Sequence, residues 1–192
     1  MPVGSELLYS YYGAGTNSTP TTTPGSSMVV GYPAIPVPAG FMKSTGPWSS
    51  SLKLQLSGFL TATATIPTFA FSLYSTSATP AAWAATNLLT TASTANTPSS
   101  AATFPFYMEW NVGLRTAGAA GANSTISSSG FIESPGLAAP YQLFMPPAGS
   151  GNTFATWEPD LQYFLWPTIL LSAATAGNYV TTQWCKLYGE GP

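Results

Sequence analysis

The chain has 192 residues and a formal net charge of −2; hydrophobic residues make up 45% of it, aromatic residues 14% and charged residues only 5%. This much apolar material excludes a disordered chain, and six acidic and four basic residues, scattered singly, exclude a basic surface for nucleic acid. An ordinary soluble domain carries roughly 25% charged residues. Because this chain carries far fewer, we expect a surface of hydroxyls and amides that packs against neighbouring molecules.

Residues 1–47 predict an extended N-terminal arm that is rich in Pro, Thr and Gly. Three prolines in Gly31–Pro38 fix φ and remove backbone donors, so this segment is expected to be extended and poorly paired. Such an arm lies over its own domain or reaches a neighbouring subunit. Residues 48–192 are then a single folded domain.

In the folded domain, alternation of apolar and polar residues predicts strands with one buried face. The first strand runs from Leu52 to Thr61 and the second from Phe69 to Leu73, joined by a hairpin around Pro67. The third has the strongest pattern, with six apolar residues on one face: Phe104, Phe106, Met108, Trp110, Val112 and Leu114.

The second half of the chain predicts two antiparallel hairpins. Thr125–Glu133 returns alongside the preceding strand, and Thr168–Ala173 pairs with Tyr179–Tyr188. Between the hairpins, Pro135–Gly151 is apolar without a regular period and is interpreted as a packed loop. Helical signals are nearly absent, so the series of strands favours an all-β sandwich, and about eight strands in two sheets would be a jelly roll.

Neither a membrane segment nor a secretory leader is predicted. The longest apolar stretch, Phe164–Leu171, is interrupted by Pro167 and falls short of the roughly 20 residues that span a bilayer. The start of the chain lacks a basic segment followed by an apolar one, so it does not resemble a signal peptide. Cys185 is the only cysteine, which excludes an intrachain disulfide and fits assembly in a reducing cytoplasm.

The sequence offers few groups for catalysis. It has no histidine, which is the commonest general base and metal ligand. Glu158 and Asp160 form the only local carboxylate pair, which could bind a cation or, with Glu133, resemble a glycosidase pair. Loop carboxylates are usually solvated, so this pair is kept only as a calcium candidate. We predict no catalytic, cofactor-binding or metal-binding residue, and we expect that the chain is not an enzyme.

Two further titratable residues have structural interpretations. Cys185, in the last strand, is expected to be a small buried hydrophobic residue because no partner base accompanies it. Glu109, among the aromatic residues of the strongest strand, is expected to face solvent or to pair with Lys53 or Arg115 across a sheet. Replacing Glu109 by Gln should then change little beyond local stability.

Four strand segments share an alternating rhythm within a Thr-, Ala- and Gly-rich chain: Leu52–Thr61, Phe69–Tyr74, Phe106–Thr116 and Tyr179–Tyr188. Over residues 48–188, this rhythm resembles that of the small jelly-roll virion proteins of tailed phages. The resemblance implies a jelly-roll-like antiparallel β-sandwich, present as a homotrimer on the outer surface of a virion and assembled in the host cytoplasm. It implies a capsid decoration or cement protein whose partners are the major capsid protein or other virion proteins, with no cofactor, nucleic acid or membrane.

The alternative function on such a particle is a tail- or fibre-associated module that binds a receptor or glycan. Aromatic side chains at a surface can stack on sugar rings. The candidates for this role are Trp48, Trp83, Trp157, Trp166 and several tyrosines, although most of them are expected to lie in the core or at an interface. Trp184 and Tyr188, on one face of the last strand, are interpreted as packing residues.

Overall fold

The computed structural model describes residues 5–12, 17–18, 35–42, 50–62, 68–77, 87–91, 95–96, 102–116, 124–136, 142–146, 154–171 and 179–190. These residues form thirteen β-strands and no helix: β1 (Ser5–Tyr12), β2 (Asn17–Ser18), β3 (Ile35–Val37), β4 (Ser51–Ala62), β5 (Thr68–Thr76), β6 (Asn87–Thr91), β7 (Ala95–Asn96), β8 (Ala102–Thr116), β9 (Ser124–Glu133), β10 (Gln142–Met145), β11 (Phe154–Trp157), β12 (Tyr163–Leu171) and β13 (Tyr179–Glu190). Within these ranges, no helix has the length and apolar character needed to cross a membrane.

The strands form two antiparallel sheets. The large sheet has the order β1-β13-β4-β8-β9-β10, with β2 also pairing with β13 and β11 with β9. The small sheet has the order β3-β12-β5-β6, with β7 also pairing with β5. The prediction of an all-β antiparallel sandwich is confirmed. The pairs β4–β13, β5–β12 and β8–β9 are nested along the chain, which is consistent with the expected jelly roll.

The two sheets enclose one core of apolar side chains. Of the six residues predicted for the inner face of β8, Phe104 is half-buried and the other five are buried. The small sheet contributes residues from three strands: Ile35 and Val37 of β3, Phe69, Phe71 and Leu73 of β5, and Leu165 and Ile169 of β12. The alternation in the sequence therefore identified the inward-facing side chains correctly.

Residues 1–47 supply strands to both sheets. Strand β1 pairs with β13 at one edge of the large sheet, and β3 pairs with β12 at one edge of the small sheet. These parts of the arm are extended as expected, but they are hydrogen-bonded into the sandwich rather than poorly paired. Leu8, Tyr9 and Tyr11 also pack against the core, which explains why strand β1 is held in place.

Two predicted hairpins and one predicted loop are wrong. The segments before and after Pro67 do not form a hairpin, because β4 lies in the large sheet and β5 in the small one. The same holds for β12 and β13, which pair with β5 and β4 instead of with each other. Part of the predicted packed loop, Gln142–Met145, is a strand that pairs with β9. Alternation indicates which side chains are buried, but it does not indicate to which sheet a strand belongs.

A β-bulge in β13 changes which residues face outward. Thr182 points inward before the bulge and Cys185 points inward after it, so the register shifts by one residue. The extra residue, Gln183, is exposed, and Trp184 lies half-buried on the outer face. The bulge thus turns Trp184 away from the core, because side chains alternate along a strand with a period of two.

The outer face of the small sheet is partly covered. Its outward side chains include Ser72, Thr76 and Thr168, which are all buried. Trp166 is only 5% exposed, yet it does not belong to the core cluster, since it points to the opposite side of the sheet. The outer face of the large sheet, in contrast, carries half-buried and exposed side chains and is open to solvent.

Candidate functional site

Two neighbouring rows of side chains cross the open face of the large sheet from β10 to β1. Each row consists of residues that are directly opposite one another in the strand pairing. The first row is Gln142, Glu133, Tyr107, Ser57, Trp184 and Tyr12; the second row is Phe144, Phe131, Glu109, Gln55, Lys186 and Ser10. We call these twelve residues the outer band. Six strands spaced about 4.8 Å apart make the outer band about 24 Å long.

An aromatic cluster occupies the middle of the outer band. The ring centroid of Tyr107 lies 6.0 Å from that of Phe131 and 6.1 Å from that of Trp184, and both pairs are tilted. Ser57 lies between Tyr107 and Trp184 in the row, and its small side chain leaves room for the two rings to approach above it. Tilted aromatic pairs at this distance are attractive, so the ring of Tyr107 is held from two sides.

A cation lies over the aromatic rings at the β1 end of the outer band. The Nζ atom of Lys186 is 5.5 Å from the ring centroids of both Tyr12 and Trp184, which is within the range of cation–π attraction. A hydrogen bond to Tyr12 raises the pKa of Lys186. This end of the face therefore presents a charged amine between two aromatic side chains.

Glu109 is the centre of a polar network in the outer band. It forms an ion pair of 3.1 Å with Lys53, and its Oε2 atom accepts hydrogen bonds from Gln55 Nε2 at 2.9 Å and from Tyr107 Oη at 2.8 Å. The predicted pairing with Lys53 is confirmed. Partial burial acts to raise the pKa of Glu109, but the hydrogen bonds from Gln55, Tyr107 and Lys53 outweigh it and lower the pKa. Burial and the hydrogen bond to Glu109 raise the pKa of Tyr107, so Tyr107 remains a donor.

We expect Glu109→Gln to lower the free energy of unfolding by about 1 kcal/mol near neutral pH, since it removes an ion pair and weakens two hydrogen bonds. The lowered pKa of Glu109 stabilises the fold above the ordinary value of 4.5, and this contribution is lost as the pH falls through the lower folded-state value. The variant should therefore lose less stability than the wild type on acidification. Urea unfolding at about pH 7 and about pH 3.5 measures both effects.

Glu190→Gln is the matched control, because it makes the same change in charge at an exposed residue at the end of β13. Glu190 accepts one hydrogen bond, from Ser51 Oγ at 2.9 Å. We expect a smaller effect from this control. Equal losses for the two variants at both pH values would contradict the role of the Glu109 network.

An open pocket of about 560 Å³ lies at the β10 end of the outer band. It is lined by residues of four strands and of the turn after β9: Ser57, Pro105, Phe106, Tyr107, Glu133, Ser134, Pro135 and Gln142. Ser134 Oγ donates a hydrogen bond of 2.7 Å to the carbonyl oxygen of Pro105 and accepts one of 3.1 Å from the backbone N–H of Gly136. The turn after β9 is thereby tied to β8, which fixes the rim of the pocket.

The two candidate tryptophans within the described residues, Trp157 and Trp166, are buried, as expected for most of the candidates. Trp157 is 2% exposed and stacks on Tyr163 with ring centroids 3.8 Å apart, and Trp166 is also buried. Trp48 and Trp83 lie outside the described residues. The interpretation of Trp184 as a packing residue stays a prediction: the bulge in β13 places it half-buried on the open face, where its ring contacts that of Tyr107. A bulge leaves no clear signal in a single sequence, so the outward position of Trp184 could not be predicted.

The predicted carboxylate group is not assembled in the described part of the chain. Glu158 and Asp160 lie in the turn between β11 and β12, whereas Glu133 lies in the outer band and accepts a hydrogen bond of 2.6 Å from Gln142. Among the described residues, no group of three His, Cys, Asp or Glu side chains comes together. Cys185 is buried as predicted, and burial raises the pKa of its thiol to about 12, so it is protonated at neutral pH.

The outer band offers non-covalent contacts: aromatic faces, amides, hydroxyls and a few charges. Its composition suits recognition of another surface or of a ligand with both apolar and polar groups. No protein-family model matches the chain, and no curated protein and no solved structure was found to match it.

Proposed function

We propose that this chain is a structural protein of a virus particle, a capsid decoration or cement protein on the outer surface of the virion. Its partners would be further copies of itself, as a homotrimer, and the major capsid protein or other virion proteins. The observation that carries this proposal is the β1 edge of the large sheet, and the strand rhythm of phage virion proteins supports it.

Strand β1 is an edge with little protection against pairing. It runs for eight residues, and among the described residues it pairs only with β13, along one side. Edge strands of monomeric proteins are usually shortened, charged or covered to prevent contact with other chains. In β1, Leu7 is 50% exposed, Tyr12 is 67% exposed, and Glu6 is the only charged residue. Such an edge is suited to contact with a neighbouring subunit.

The residues next to β1 extend this contact surface onto the open face. Trp184, Lys186 and Tyr188 of β13 lie beside Tyr12, Ser10 and Leu7 in the strand pairing. Tyrosine and tryptophan are enriched at the centres of protein interfaces, where a few such side chains supply most of the binding energy. The β1 edge and this half of the outer band thus form one continuous aromatic surface.

The distribution of charge also favours a specific contact. Among the described residues, at least five charged side chains lie on the open face: Lys53, Glu109, Glu133, Lys186 and Glu190. Charges at an interface contribute mainly to orientation and to the choice of partner. In a chain with so few charges, their concentration on one face supports a role for that face in docking.

We expect the purified chain to form trimers, and we expect Leu7→Lys combined with Tyr12→Lys to convert them to monomers. Lysine on an edge strand blocks pairing, and both replaced side chains are at least half exposed, so the fold should persist. Size-exclusion chromatography with light scattering measures the mass, and circular dichroism checks the fold.

Leu161→Lys is the matched control, because Leu161 is 42% exposed and lies in the turn between β11 and β12. This control should remain trimeric. The virion role is tested by co-sedimentation with phage particles that lack the protein and by a reconstruction that locates it. A chain that stays monomeric and binds no particle would refute the proposal.

A further inference from the structure

We propose that the open pocket at the β10 end of the outer band binds a neutral saccharide. This site is distinct from the β1 edge, which lies at the opposite end of the large sheet. The volume of about 560 Å³ falls within the range of roughly 300–1,000 Å³ that is typical of small-ligand sites, and it accommodates a sugar residue. The inference does not depend on the proposed structural role.

The aromatic wall of the pocket is the side chain of Tyr107, which is held in place before any ligand binds. Phe131 and Trp184 flank its ring, and its hydroxyl donates to Glu109 Oε2 at 2.8 Å. The C–H face of a pyranose packs on such a ring, since the ring combines an apolar face with a fixed orientation. A side chain that is already ordered loses little entropy on binding, which favours affinity.

The polar part of the pocket is the pair formed by Glu133 and Gln142. Gln142 Nε2 donates to Glu133 Oε1 at 2.6 Å. Within the described residues, the second carboxylate oxygen of Glu133 and the carbonyl oxygen of Gln142 have no hydrogen-bond partner, and the amide retains a second N–H. Two planar groups with adjacent acceptors and a donor match the hydroxyls on neighbouring carbons of a sugar ring.

The charges of the lining indicate a neutral ligand. No Lys or Arg of the described residues lines the pocket, so an anionic group would have no counter-charge there. Glu133 is the only charged residue of this lining, and most of the remaining wall is apolar. A polyol satisfies the carboxylate by donating hydroxyl hydrogens. A cationic amine is the competing ligand that the experiment must separate.

The described turn at the rim of the pocket is held against β8. Ser134 ties the turn after β9 to Pro105 of β8. Gly136 follows in the same turn, and a Cβ atom at this position would overlap the ring of Phe104, so the turn lies directly on β8. A rigid, partly apolar recess with a few fixed polar groups is the usual form of a ligand site.

The test uses the full chain on an immobilised array of neutral hexose- and N-acetylhexosamine-containing oligosaccharides, with NMR titration of the glycans that bind. Gln142→Ala should weaken binding roughly fivefold to tenfold, because one or two hydrogen bonds are lost. Tyr107→Ala should weaken it at least about tenfold through loss of stacking. Glu133→Gln should weaken it about threefold, since glutamine still accepts a hydroxyl hydrogen but without the negative charge.

Two controls show whether binding takes place in the pocket itself. Gln162→Ala removes an exposed amide that does not line the pocket and should leave binding unchanged. The double variant Leu7→Lys, Tyr12→Lys should also keep its affinity, so a failure of the structural role can be told apart from a failure of this site. Absence of binding to every neutral glycan, or binding of spermidine that is lost in Glu133→Gln, would overturn the proposal.

Discussion

Replacing Gly58 with alanine is expected to lower the free energy of unfolding by about 3 kcal/mol or more. A Cβ atom on Gly58 would overlap the carbonyl oxygen of Thr181 and would lie 2.8 Å from the Cα atom of Thr182. Both contacts are to the backbone of β13, at the bulge that precedes Trp184. The clash is therefore relieved only if β4 and β13 move apart in the middle of the large sheet.

The control for this prediction is Gly113→Ala. Gly113 lies on the neighbouring strand β8, and no atom is within 4 Å of a Cβ placed there. Alanine at this position should change the stability by less than about 0.5 kcal/mol. Guanidinium unfolding of the three proteins makes the comparison. Similar midpoints for Gly58→Ala and the wild type would mean that the bulge does not require glycine opposite it.

Trp110→Ala is expected to cost about 4 kcal/mol, which is a large part of the stability of a domain of this size. Trp110 is fully buried on the inner face of β8, and its Nε1 atom donates to the Sδ atom of Met145 at 3.1 Å. Alanine leaves a cavity in the centre of the core and removes that contact. We expect a much lower midpoint of thermal or guanidinium unfolding, with incomplete folding at physiological temperature.

Trp184→Ala makes the same chemical change on the opposite face of the sheet. Trp184 is half-buried and contacts Tyr107 and Lys186 on the open face, so its loss should cost about 1 kcal/mol or less. The pair of variants measures on which side of the large sheet each tryptophan lies. Equal destabilisation would show that Trp184 belongs to a packed core and that the open face is not available for binding.

The two tryptophans also show where sequence reasoning succeeds and where it ends. Trp110 lies in an unbroken alternation from Phe104 to Leu114, and its inward orientation was predicted correctly. Trp184 lies in β13, where one extra residue shifts the alternation, and its outward orientation was not predicted. Since the bulge depends on pairing with Gly58 on another strand, it is a property of the sheet rather than of the segment.

In the candidate site, too, one feature was predicted from the sequence and another was not. The ion pair between Lys53 and Glu109 was predicted because both residues lie on polar faces of strong strands. The pocket was not predicted, because its polar residues, Glu133 and Gln142, come from a strand and from a segment interpreted as a loop. Their proximity depends on the pairing of β10 with β9, for which the sequence carries little local signal.

The sequence by itself determined that the chain is all-β and that its strands bury one face. It also determined that the surface has few charges that could repel neighbouring molecules. These properties arise from residue type and from a period of two, which are local. The tertiary structure alone decided which strands share a sheet, which face of the large sheet stays open, and that Trp184 and Tyr107 meet above Ser57. These features depend on pairing between strands that are far apart in sequence, whose register is selected by the packing of the whole core.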